Sequence, residues 1–134
     1  MAATTIMKNE SATLHYHPLA KIVHHEFHKA VKGTDFQAVL TAGLELVKKH
    51  KAQKWLSDDR KNNTIAKDDE TWVFTSWLPQ VVAAGWRFWA IVLPENVFGQ
   101  LNMKRLSAAM KEKGVTVQFF TAPDEALKWL EAAK

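Results

Sequence analysis

The chain has 134 residues, 47% of them apolar, with six Trp, no Cys, five Gly, four Pro and a formal charge of +4. That is the length of one domain, able to build a core without disulfides or a structural metal. The lack of Cys excludes thiol catalysis, zinc-thiolate sites and iron-sulfur clusters, and the low Gly and Pro content excludes a disordered or low-complexity chain.

Residues 1–11 carry no periodic signal and are expected to be flexible. Residues 12–31 predict two strands, since Leu14/Tyr16 and Val23/Phe27 alternate with polar residues around Pro18-Leu19-Ala20. One face of this hairpin collects Leu14, Tyr16, Val23, His25 and Phe27; the other collects Thr13, His15, His17, Ile22, His24, Glu26 and His28. Gly33 ends the hairpin, and Thr34 with Gln37 forms a capping-box pattern for a helix with the core stripe Phe36, Leu40, Leu44 and Val47, ending near His50. Lys48, Lys49, His50, Lys51 and Lys54 form the densest basic stretch. Cations at a helix end offset its dipole, so no nucleic-acid partner is expected.

Lys54 to Ser57 predicts a short strand, and the polar run from Asp58 to Asn63 a loop. Asp68, Asp69 and Glu70 open a second helix with Val73, Trp77, Val81 and Ala84 inward, bent at Pro79 and stopped by Gly85. The near-continuous apolar run Trp86 to Leu93 predicts a central strand buried on both faces. Asn102 to Lys113 follows as a helix, Val115 to Phe120 as a strand, and Pro123 to Ala133 as a closing helix packed through Ala126, Leu127 and Leu130. The expected fold is α/β: a single mixed, mostly parallel five-stranded sheet in the order ββαβαβαβα, one domain over residues 1–134. Right-handed crossovers put the helices mainly on one face and leave the other open.

The first twenty residues hold no apolar run long enough for a signal peptide, and no stretch approaches the roughly 18 apolar residues of a membrane span. A cytoplasmic location and no membrane span are therefore expected.

The stretch Lys54-Trp55-Leu56-Ser57-Asp58-Asp59-Arg60, the spacing of Trp72, Trp77 and Pro79, and above all Ala83-Ala84-Gly85-Trp86 through Trp89-Ala90-Ile91-Val92-Leu93-Pro94 to Gly99-Gln100-Leu101-Asn102-Met103 resemble the small bacterial SpoIIAA-like proteins of the STAS-like (STAS/SEC14) group. The resemblance spans residues 12–131 and implies a sheet in sequential strand order with its helices on one side. It also implies a non-enzymatic signalling role, since the family's described relatives are anti-sigma-factor antagonists switched by phosphorylation of a Ser at the start of the second helix. Here Lys67-Asp68-Asp69-Glu70 stands in that region, so the reading is a favourable acidic helix start rather than a phosphoswitch.

Ligands of open parallel sheets bind beyond the carboxyl ends of the strands, which here carry Ser57, Asp58, Asp59 and Arg60, then Glu95 and Asn96. Two carboxylates beside Arg60 and across from Glu95 would suit a divalent ion or acid-base work, although capped loops use the same residues. Trp72, Trp77 and Trp89 are the aromatic binding candidates. The histidine face reads as a solvated polar edge that splays its rings, so neither a metal nor another cofactor is expected. With no catalytic motif present, the leading expectation is a protein-interaction module, with a homodimer or a protein partner on the open sheet face. A carrier of a small apolar or lipid-like ligand is second and requires a pocket between sheet and helices. A small hydrolase using Asp58, Asp59 or Glu95 is third.

Overall fold

The computed structural model describes residues 3–62 and 65–134. In chain order the elements are β1 (Thr4–Lys8), β2 (Ala12–His17), β3 (Ile22–Phe27), α1 (Thr34–His50), β4 (Lys54–Asp58) and α2 (Lys67–Trp72). A π-helical turn (Val73–Trp77), α3 (Leu78–Ala83), β5 (Phe88–Val92), α4 (Val97–Glu112), β6 (Thr116–Phe120) and α5 (Pro123–Ala132) complete the chain. No helix among the described residues is long and apolar enough to cross a membrane.

The strands form one sheet in the order β1-β2-β3-β4-β5-β6, antiparallel across β1-β2-β3 and parallel from β3 onward. The sheet is α/β and mixed, with six strands where five were expected. The extra strand is β1, in the stretch expected to be flexible. Its side chains are nearly all exposed, so it carries no apolar alternation and is held by pairing with β2. The turn into β2 is tied by Asn9, whose Oδ1 accepts from the Ser11 and Ala12 N–H groups at 2.8 and 3.0 Å.

The β2-β3 register pairs His15 with His24 and Leu14 with His25, which separates the two faces as alternation requires. Leu14, Tyr16, Val23, Trp55, Trp89 and Ile91 point into the main core under α1, α3 and α4. Strands β3 to β6 advance in one direction, so right-handed crossovers place every connecting helix on that side. The other face is not open. α5 follows the last strand and makes no crossover, so handedness leaves it free, and it covers Ile22, Leu56, Ala90 and Val92 with Ala126 and Leu130. Phe88 and Phe120 pack edge-on or tilted against Trp129 at the margin. The expectation of an uncovered apolar sheet face, and of a partner seated on it, is thereby corrected: the chain supplies its own cover.

Two helix details also differ. α1 starts from Gly33 at φ +65°, with no side-chain cap from Thr34. The buried Asp69 of α2 reaches across instead, accepting from Gly33 N–H at 2.8 Å and Gln37 Nε2 at 3.4 Å. α4 begins five residues earlier than the periodicity from Asn102 indicates, because Asn96 caps it, accepting from the N–H groups of Phe98 and Gly99 at 2.8 and 3.2 Å. The segment from Lys67 to Ala83 is helical throughout, and its irregularity is the π turn just before Pro79.

Candidate functional site

A cavity of about 50 Å³ lies between the sheet and the helices, near the carboxyl ends of β3 and β4. Four indoles line it, Trp55, Trp77, Trp86 and Trp89, together with Val73 from the π turn and Met103, Leu106 and Met110 from α4. Consecutive indoles stand edge to face: Trp55 and Trp77 are perpendicular with centroids 5.3 Å apart, Trp77 and Trp86 are 5.6 Å apart, and Trp86 and Trp89 are 5.2 Å apart. Each buried indole N–H has a partner. Trp77 donates to Leu40 O at 2.8 Å, Trp86 to Phe88 O at 3.1 Å, Trp89 to Ser57 Oγ at 2.8 Å and Trp55 to His25 Nδ1 at 3.0 Å.

The last of these sets the chemistry of the wall. An indole nitrogen only donates, so His25 Nδ1 must be the accepting nitrogen and the ring proton sits on Nε2. That proton is donated to Asp59 Oδ1 at 2.8 Å, with both side chains buried. Ser57 stands beside His25 on the neighbouring strand, so Ser, His and Asp do gather here. They are not wired as a nucleophile relay, because Trp55 occupies the nitrogen that a serine hydroxyl would need and Ser57 accepts from Trp89. Sequence reasoning missed His25 as a functional group. Its signal is present in the alternation, which puts a lone imidazole on the apolar face between Val23 and Phe27.

The proposed pairing of loop carboxylates does not form. Successive strand residues point to opposite faces, so Asp59 enters the cavity while Asp58 turns to the α5 side. There it grips Arg60 through two bonds, from Nε at 2.9 Å and Nη2 at 2.8 Å. This raises the Arg60 pKa, first through the hydrogen bond to Asp58, with the charges of Asp58, Glu26 and Glu95 adding to it against partial burial. Asp58 and Asp59 therefore have separate partners. Of the aromatic candidates, Trp77 and Trp89 belong to the cavity, while Trp72 lies half-buried on α2 outside it.

Glu95 and Asn96 lead into a different feature. In the first turns of α4, Val97, Phe98 and Leu101 are 65, 71 and 57% exposed. Spacings of three and four residues put them side by side on the helix surface. Arg105 on the same helix donates to both Glu70 carboxylate oxygens, at 2.7 and 2.6 Å, and ties α4 to α2.

The histidine face is not splayed. His17 Nε2 lies 3.0 Å from His24 Nδ1, with the rings stacked, and His28 Nε2 lies 2.7 Å from Thr13 Oγ1. Among the described residues no group of three or more His, Asp or Glu side chains is placed to hold a metal ion. No family model, curated protein or solved structure matches the chain.

Proposed function

We propose that the chain is a non-enzymatic protein-interaction module of the SpoIIAA-like, STAS-like type, and that it docks its partner through the start of α4. The observation that carries this reading is the contiguous exposure of Val97, Phe98 and Leu101 in a chain whose other large apolar side chains are mostly buried. Such a patch on a soluble domain marks an interface, and an aromatic side chain at its centre is the usual energetic anchor. The Asn96 cap and the Arg105–Glu70 clamp hold the turn in place before any partner arrives, which lowers the ordering cost of binding. The sequential strand order is the order that the family resemblance implies.

The other readings have less support. A lipid-like cargo needs a pocket of roughly 300 Å³ or more, and the interior cavity has about 50 Å³. The hydrolase reading needed adjacent carboxylates, and these face opposite ways.

A photo-crosslinking residue in place of Phe98 is expected to give a discrete product in the native cell, whose mass tells a second copy from another protein. The product should disappear when Leu101→Asp is added, with the thermal midpoint of the chain unchanged. The same product from a crosslinker at exposed Thr116 on β6, or no product from Phe98, overturns the proposal.

A further inference from the structure

Asp59 is 5% exposed, and its described side-chain partner is the imidazole of His25, whose other nitrogen accepts from the indole of Trp55. Among the described residues no Lys or Arg lines the cavity. A buried carboxylate normally pairs with a cation, since an uncompensated charge in apolar surroundings costs several kcal/mol. Here it shares the cavity with four indoles, and the face of an indole ring carries negative electrostatic potential that attracts a cation rather than an anion.

We infer that this cavity is a binding site for a small methylated ammonium group, caged by Trp55, Trp77, Trp86 and Trp89 and neutralised by Asp59. Size, charge and surface select the class together. At about 50 Å³ the cavity excludes a large ring or an acyl chain and leaves room only for a compact head group. A hydrated metal ion is disfavoured because hard cations need six or more oxygen ligands and the wall is mainly aromatic and aliphatic. A methylated ammonium has low hydration, an apolar exterior and a full charge, which is what this wall accommodates. The π turn contributes Val73 and Trp77, at its two ends, to the same cavity, and such turns recur at functional sites. The site is separate from the α4 surface and does not depend on it.

Tetramethylammonium chloride is the probe and tert-butanol its neutral counterpart of the same heavy-atom count and shape, both titrated into the full chain at constant ionic strength. Tetramethylammonium is expected to bind saturably, to perturb the indole N–H resonances of the cavity tryptophans in NMR spectra, and to raise the thermal midpoint. tert-Butanol is expected to bind at least tenfold more weakly. Asp59→Asn, which keeps the shape and the acceptor for His25, should remove that preference, and Trp86→Leu should weaken tetramethylammonium binding about tenfold. Comparable affinity for the two probes in the unaltered chain, no saturation by tetramethylammonium, or an unchanged preference in Asp59→Asn each overturns the inference. The comparison of probes decides the matter even if a variant fails to fold.

Discussion

Gly43→Ala is expected to destabilise the protein by about 2–3 kcal/mol, in the opposite direction to its helix propensity. In the middle of a helix this change normally stabilises by about 1 kcal/mol, because glycine loses more backbone entropy on folding. At this position the added Cβ would overlap Trp55 Cη2 and sit 2.8 and 2.9 Å from Cζ2 and Cζ3. The indole cannot swing away cheaply. It is 1% exposed, its N–H is bonded to His25, and Trp77 and Trp86 pack against it. α1 must lift from the sheet or the ring must leave its rotamer, and either costs more than the propensity gain. Chemical denaturation of the single and double variants tests this directly. In a Trp55→Leu background the same Gly43→Ala change should become neutral or stabilising, and additive effects in that cycle would show that the contact is not the cause.

Stability should fall as pH drops from about 6.5 to 5, by on the order of 1 kcal/mol per pH unit, through His24. Burial first, and then the neighbouring His17 and His15, bring the His24 pKa down to about 3 against the opposing charge of Asp58. The unfolded chain takes up this proton near pH 6.5 while the native chain does not until about 3. Between those values the unfolded state holds the extra proton, so acidification favours unfolding. The His17 pKa is lowered in the same sense by burial first and then by His15, with Glu131 on α5 opposing. His24→Gln should flatten the dependence over pH 6.5–5 while leaving stability at pH 8 much less affected. A slope unchanged in that variant would assign the acid sensitivity to other groups.

Much of the fold was legible in the residue order, and the reasons are local. Period-two alternation in residues 12–27 placed Leu14, Tyr16, Val23 and His25 on one face and the other histidines on the opposite face, as the register pairs them. Gly33 and Gly85 marked element ends because both need positive φ, at +65° and +116°. β1 was not legible, because an exposed edge strand needs no apolar pattern and is specified by the strand it pairs with. The early start of α4 rested on one cap, Asn96, ahead of the apolar stripe that periodicity detects.

The candidate site divides along the same line. Composition alone excluded thiol and metal-thiolate chemistry, and the rule for strand ends drew notice to Ser57 through Arg60 and to Glu95 and Asn96. Only the tertiary structure decided that Asp59 turns inward to His25 and Asp58 outward to Arg60, since consecutive residues leaving a strand diverge to opposite faces. It also decided where α5 lies. Handedness constrains a helix that joins two parallel strands, whereas a terminal helix is placed by the apolar surface left to cover, and here Ile22, Leu56, Ala90 and Val92 drew it across the sheet.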